Sequence, residues 1–350
     1  MCIRDSLNTA ASGLLSVPVM EWRQDHDLDF LVQGSILKSN QAIILTEVRE
    51  KVGALFSCAP NRVALVPNFS YGFNTLLEGI ESHKNVLLLE GDYPSVNWPF
   101  ESRDFSISYV KIAADIENRV EDAFKKAQPD IFAFSLVQWL DGLKIDQQFL
   151  KDLKARYPET LFFADATQYL GTEVFDFDNA ALDVVGASCY KWMNAGYGNG
   201  IFLFKEAVVE RVAPKTTGFN SLQGKYKPHE GTFIGRFEPG HQDTLNYGSL
   251  GKAIDVINEI GMPEIESRIK SLGTLAKTAL LERGLLDKEV ASRPDHASFF
   301  NITGDENLIN TFESHDIVSI ARGGGVRIGF HYFNTEEDLA KLLSVIDSND

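Results

Sequence analysis

A chain of 350 residues with 44% apolar and 23% charged side chains has globular composition and is too large for one small core, which suits two unequal lobes. Its formal net charge of -16 repels phosphate backbones and anionic lipid, which excludes nucleic acid and membrane surfaces as partners but leaves room for a local basic pocket around an anionic cofactor. The three cysteines, Cys2, Cys58 and Cys189, are far apart and form no CxxC, which argues against a zinc site or disulfide framework and fits a reducing cytoplasm, and no apolar run is long enough to span a membrane.

The opening Met1–Ser6 is polar and mixed in charge, is not a signal peptide and does not read as the start of a fold. It is expected to be non-native, and residues 1–20 are set apart as an N-terminal segment. Residues 21–245 form the expected large domain. Within it Val63–Val66 reads as a strand entering a turn at Pro67-Asn68, and Gly72–Ile80 as a helix. The strand Val86–Leu89, helix Ile116–Lys126, strand Ile131–Leu136 and helix Gln147–Tyr157 follow. The strands Leu161–Ala164, Val184–Ser188 and Gly200–Phe204 complete the series. Short apolar strands without polar alternation are buried on both faces, as in an α/β fold whose mostly parallel sheet is covered by helices. Such sheets bind ligands at the carboxyl ends of their strands.

Residues 246–350 are expected to form a smaller α+β domain. Its predicted elements are the helices Gly248–Ile260 and Pro263–Arg283, the strand Ala297–Ile302, the helix Glu306–His315, the strands Ile317–Ala321 and Val326–Phe330, and the helix Thr335–Ile346.

Three pieces carry candidate chemistry. In Ala187-Ser188-Cys189-Tyr190-Lys191-Trp192 a buried strand ends in a lysine, followed by the glycine-rich Gly196–Gly200. A strand-end lysine can be desolvated, with the lowered pKa that Schiff-base chemistry needs; the alternative is a solvated loop lysine. In Phe162-Phe163-Ala164-Asp165-Ala166-Thr167-Gln168 a carboxylate follows an apolar strand, which is costly unless paired. A protonated pyridine nitrogen would be such a partner, and a helix N-cap is the competing explanation. In Pro67-Asn68-Phe69-Ser70-Tyr71-Gly72 a strand turns into a helix whose free amides could take a phosphate, unless it is an ordinary capped helix.

In order and spacing these pieces resemble the class V aminotransferases among the fold-type I pyridoxal-5′-phosphate (PLP) enzymes, a group that includes cysteine desulfurases, kynureninases and isopenicillin-epimerase-like proteins. The resemblance runs from Leu7 to Thr335. It implies that Lys191 carries PLP as a Schiff base, that Asp165 pairs with the pyridinium, and that Gln168 bonds the phenolic oxygen. It makes Ser188, Tyr190, Ser70 and the amide of Phe69 phosphate contacts. Tyr93, in Gly91-Asp92-Tyr93-Pro94, falls where relatives stack a ring on the pyridine, with simple loop packing as the alternative. Gln138 matches a polar group near cofactor and substrate. Arg327, in Gly325-Val326-Arg327-Ile328, matches the arginine that binds the substrate α-carboxylate; an edge-strand surface residue is the alternative, and Arg322 is the next candidate.

Two departures stand out. The stretch Ser319–Gly325, where desulfurases carry a nucleophilic cysteine, has none. In Arg236-Phe237-Glu238-Pro239-Gly240-His241, where relatives place a threonine that reaches the neighbouring subunit's phosphate, His241 or Gln242 would have to serve. The resemblance implies a cytoplasmic homodimer that acts on a small amino acid, with transamination as the first expectation and elimination, epimerisation or desulfuration as alternatives. No metal is expected. A phosphate-binding α/β protein and a catalytically dead PLP fold are the readings from other classes.

Overall fold

The computed structural model describes residues 5–219, 221 and 231–348; Met1–Arg4, and with them Cys2, lie outside the described residues. The chain opens with the short strand β1 (Asp5–Ser6), then the helices α1 (Val17–Gln33), α2 (Ser35–Ser39) and α3 (Gln41–Phe56). An alternating stretch follows: β2 (Val63–Val66), α4 (Phe69–Leu77), β3 (Asn85–Glu90), α5 (Pro94–Glu101), β4 (Ser106–Lys111), α6 (Ile116–Ala127), β5 (Ile131–Ser135), α7 (Gln147–Arg156) and β6 (Leu161–Asp165). Next come β7 (Val184–Ser188), β8 (Gly200–Phe204) and α8 (Glu206–Arg211), and then the long helices α9 (Thr244–Ile260) and α10 (Met262–Glu282). The last part holds α11 (Lys288–Ala291), β9 (Phe299–Ile302), α12 (Glu306–Ser314), β10 (Ile317–Val318), β11 (Ile320–Arg322), β12 (Gly325–Gly329) and α13 (Glu336–Asp347).

Seven strands form the central sheet in the order β2-β8-β7-β6-β5-β3-β4. All its pairings are parallel except those of β8, which runs antiparallel to both β2 and β7. Strands β2, β5, β6, β7 and β8 are buried at every residue, as their unbroken apolar runs require. One core, with Phe132, Phe162 and Trp192, lies on one face under α3, α6 and α9; a second, with Phe69, Phe73 and Phe202, fills the other under α4 and α5. A third core holds Phe300, Ile302, Val326, Ile328 and residues of α12 and α13 around the antiparallel sheet β11-β12-β9.

The N-terminal segment is tied into that third core. β1 pairs in parallel with β10, Leu7 N donates to the Val318 carbonyl at 3.1 Å, and Gly329 N donates to the Leu7 carbonyl at 2.7 Å.

Several elements depart from the sequence expectation. α4 starts at Phe69 rather than Gly72, because the Asn68 side chain caps it by accepting from Tyr71 N at 2.9 Å. Strand β4, absent from the expectation, is an edge strand of mixed polar residues in which Val110 alone is buried, so it has no buried apolar run to betray it. Helices α1 and α3 were also missed. α1 leaves Val17, Met20, Phe30, Leu31 and Val32 exposed, so its apolar residues do not gather into one inward stripe. The expected strand Ile317–Ala321 is broken into β10 and β11, which pair with different neighbours.

Candidate active site

A cavity of about 150 Å³ opens where β5, β6 and β7 end beside the N-terminus of α4. Its first wall is that helix end, whose leading amides lack intrahelical partners and carry the positive end of the helix dipole. Phe69 N donates to Ser188 Oγ at 2.9 Å, joining the helix to β7, and Ser70 Oγ donates to Ser95 Oγ at 2.7 Å. Asn68, Phe69, Ser70, Ser188 and Tyr190 thus form a cluster of amide and hydroxyl groups suited to a phosphate.

The deep wall is Asp165, at the last position of β6, paired in register with Ser135 on β5 and Gly186 on β7. Its Oδ1 accepts from Thr167 N at 2.8 Å, and Thr167 Oγ1 accepts in turn from Ser188 N at 3.0 Å. Asp165 is only 6% exposed and forms no ion pair among the described residues. Burial pushes its carboxyl above the usual carboxylate range, opposed by the Thr167 hydrogen bonds and the charge of Lys191. Gln168 spans the same wall: it accepts from Trp192 Nε1 at 2.7 Å and donates one amide hydrogen to the Ala10 carbonyl at 2.9 Å, which leaves its second N–H for a ligand.

Lys191 follows β7 and is 7% exposed. Its Nζ lies 5.8 Å from the Tyr93 ring centroid and 5.7 Å from that of Tyr190, with no hydrogen bond or ion pair among the described residues. Burial, then the positive charge of Arg327, hold its amine below the ordinary lysine value, while Asp165 pulls the other way. Its backbone is pinned from the N-terminal segment. Gly13 N donates to the Tyr190 carbonyl at 3.0 Å, and a Cβ on Gly13 would sit 2.0 Å from the Lys191 carbonyl oxygen, so only glycine fits.

Tyr93 and Trp139 close the outer side in an edge-on contact, with centroids 5.6 Å apart. Arg327 is 3% exposed, donates through Nη1 to the Trp139 carbonyl, and has a buried Nε without a partner. Its guanidinium lies 5.8 Å from the Phe299 ring and pairs with no carboxylate among the described residues. Burial pushes its pKa down to about 10.

Three of the expected residues are not in the cavity lining: Arg327, which reaches it through the Trp139 carbonyl, Gln138 and His241. Gln138 is buried behind it, donating to the Ser135 carbonyl at 3.3 Å, while its neighbours Val137 and Trp139 provide the lining. His241 is exposed, stacked on Phe219 at 5.5 Å, and lines nothing here. The remaining expected residues, Phe69, Ser70, Tyr93, Asp165, Gln168, Ser188, Tyr190 and Lys191, all line the cavity.

Sequence reasoning missed Asp92, Thr167 and Trp139. Asp92 is buried and fully satisfied: Oδ1 accepts from Tyr93 N and Ser135 Oγ, each at 2.6 Å, and Oδ2 from Ser135 N at 2.7 Å. It fixes the Tyr93 loop to β5, and its signal was the same as that of Asp165, a carboxylate just after an apolar strand. Neither described cysteine is placed as a nucleophile: burial pushes the thiol of Cys58 up to about 11 and that of Cys189 up to about 12.

The polar groups of the cavity match those of PLP. A helix end with hydroxyls suits the phosphate, a buried carboxylate without a cation suits the pyridinium, a free amide hydrogen suits the phenolic oxygen, and a buried, unpaired amine suits the aldehyde.

Comparison with known proteins agrees. An uncharacterized aminotransferase of Bacillus subtilis, YcbU, is 20% identical over 97% of this chain and 93% of its own length. A probable cysteine desulfurase of Methanothermobacter thermautotrophicus is 22% identical over 87% of this chain and 83% of its own. Among solved structures, a lysine-to-alanine mutant of C-DES with glycine covalently linked to its PLP cofactor superposes with a TM-score of 0.89 at 16% identity, covering 98% of this chain and 96% of that one. The cystine C–S lyase C-DES with its product cysteine persulfide gives 0.87 at 17% identity, covering 98% and 97%. The apo cysteine desulfurase of Thermococcus onnurineus gives 0.85 at 16%, covering 99% and 94%. These likenesses establish the fold, and the family description aminotransferase class-V matches residues 31–342. This chain therefore belongs to the class-V aminotransferase family, and its cofactor is pyridoxal 5′-phosphate.

Proposed function

We propose that this protein is a PLP-dependent aminotransferase of a small amino acid, with Lys191 as the residue that binds the cofactor covalently. The observation that carries the reading is the Lys191 amine itself, buried at a strand end, held below its ordinary pKa and unpaired. PLP supplies the electron sink for bond breaking at Cα. Asp165 keeps a negative charge against the pyridine nitrogen, and Gln168 donates to the phenolic oxygen. Phe69 N, Ser70, Ser188 and Tyr190 hold the phosphate. Tyr93 offers a ring face, and Gln138 acts from behind by bracing the β5 end and the Asp92–Ser135 junction. Arg327 takes the α-carboxylate with two parallel hydrogen bonds, which places Cα within reach of Lys191. The lowered pKa leaves far more of the Nζ unprotonated near neutrality than an ordinary lysine has, and that fraction can accept and return the Cα proton.

A homodimer is part of the proposal. Phe30, Leu31, Val32 and Ile36 of α1 and α2 are exposed apolar groups, and Tyr197, stacked on the cavity residue Tyr190, is 65% exposed. In a dimer His241 or Gln242 would approach the neighbouring phosphate. The free thiols of Cys58 and Cys189 suit a cytoplasmic location.

Elimination at Cβ is the second reading, favoured by the fold shared with a cystine C–S lyase. Persulfide transfer by a cysteine of this chain is disfavoured, since Ser319–Gly325 holds no cysteine. The test is to purify the protein with PLP and screen amino acids by spectral change, with separate detection of keto acid, ammonia and sulfide. Keto acid with a stoichiometric aminated cofactor supports transamination. Ammonia without aminated cofactor replaces it with elimination, and a protein that takes up no PLP refutes both.

A further inference from the structure

The hairpin that carries Arg327 carries a second arginine on the same face. In the antiparallel β11–β12 pair Arg322 is opposite Gly325, and residues directly opposite share a face. Gly325 and Arg327 are two apart on one strand and share that face too. The two arginines are therefore a diagonal pair, with Cα atoms about 7–8 Å apart. Val326 and Ile328 point the other way, into the third core.

The hairpin is built to hold this position. Gly323 and Gly324 turn with φ of 55° and 83°, where side chains are disfavoured. A Cβ on Gly325 would come within 2.2 Å of Asn301 Oδ1, so the Asn301 side chain fills the place over Gly325 on the shared face. Asn301 Nδ2 donates to the Arg322 carbonyl at 2.9 Å, and Gly323 packs toward Leu140, next to Trp139 on the cavity wall. Arg322 is exposed, donates only to the Ala321 carbonyl at 3.2 Å, and pairs with no acid among the described residues. Its charge is felt at both Lys191 and Tyr93.

We propose that Arg322 receives a second anionic group on the substrate, so that this site selects amino acids with an acidic side chain. The inference rests on the reading of Arg327 as the α-carboxylate anchor: one arginine then serves each anion, the buried one for the group common to all amino acids and the rim one for the group that distinguishes them. Asp92 is engaged by Tyr93 and Ser135 and Asp165 by Thr167, and neither pairs with an arginine among the described residues.

The experiment titrates the PLP-loaded protein with L-aspartate, L-asparagine, L-glutamate and L-glutamine and follows the cofactor absorbance. Charge-assisted hydrogen bonds at a partly wet rim predict that the acid binds about tenfold or more tightly than its amide in the wild type. In Arg322→Gln the ratio should fall to near one through weaker binding of the acid, and Arg322→Lys should keep part of it. A wild type that binds acid and amide equally, or a preference that survives in Arg322→Gln, overturns the inference and leaves the amino-acid reading standing. Spectral silence toward every amino acid overturns both.

Discussion

Arg327→Met separates a substrate anchor from a structural strut. Among the described residues Arg327 is a cation 3% exposed, with one hydrogen bond to the Trp139 carbonyl, an unpartnered Nε and no carboxylate. A buried charge of this kind destabilises the ligand-free fold by several kcal/mol, and replacing it with an apolar side chain of similar length removes that penalty. Losing the bond to Trp139 opposes this by about 1–3 kcal/mol. The net expectation is a ligand-free protein that gains about 1–3 kcal/mol. At roughly 2.1 cal/mol/K per residue, a chain of 350 residues has an unfolding entropy near 0.7 kcal/mol/K, so Tm should rise by about 1–4 °C. Substrate binding should move the other way. Two charge-assisted hydrogen bonds to the α-carboxylate contribute about 3–6 kcal/mol together, and losing one side of such a pair weakens binding by about thirtyfold or more. Calorimetry of the apoprotein and amino-acid titration of the PLP-loaded protein measure the two effects. A fall in Tm of more than about 3 °C with amino-acid affinity intact would show that Arg327 is a strut and refute the reasoning.

Only an unprotonated amine attacks an aldehyde, so the rate at which apoprotein acquires the visible absorbance of lysine-bound PLP should rise with pH through a midpoint below the ordinary lysine value. Arg327→Gln removes a like charge and should move that midpoint upward; an unmoved midpoint would mean that the charge does not reach Lys191. Asp165→Asn should retain PLP but slow turnover by orders of magnitude, since each pKa unit lost at the pyridine nitrogen is about 1.4 kcal/mol, and a near-normal single-turnover rate would reduce Asp165 to a cap. Away from the cavity, Arg49 grips Glu238 through two hydrogen bonds of 2.7 and 2.9 Å and also donates to the Val63 carbonyl. Arg49→Leu strands a buried carboxylate and should cost about 3–5 kcal/mol, with Arg49→Leu/Glu238→Gln less unstable than the single variant; a larger loss in the double variant contradicts this.

The sequence by itself was enough to find the chemistry that breaks a local rule. Lys191 and Asp165 were legible because each stands at or just beyond the end of an apolar strand, and a charge there needs a partner wherever the strand lies. The buried strands β2, β5, β6, β7 and β8 were legible for the same reason, since burial on both faces leaves an unbroken apolar run. What depended on distant neighbours was not legible. The edge strand β4 and the helix α1, with its exposed Phe30 and Leu31, carry patterns set by what covers or fails to cover them. Nothing local says that Gln138 turns behind the cavity while Trp139 lines it, or that Gly13 braces the backbone of Lys191. The shared face of Arg322 and Arg327 follows from the register of one hairpin, and a slip of one residue would have put them on opposite sides. A residue's chemical type and local burial are written in its neighbours along the chain, whereas the direction of a side chain is decided only when strands pair and cores close.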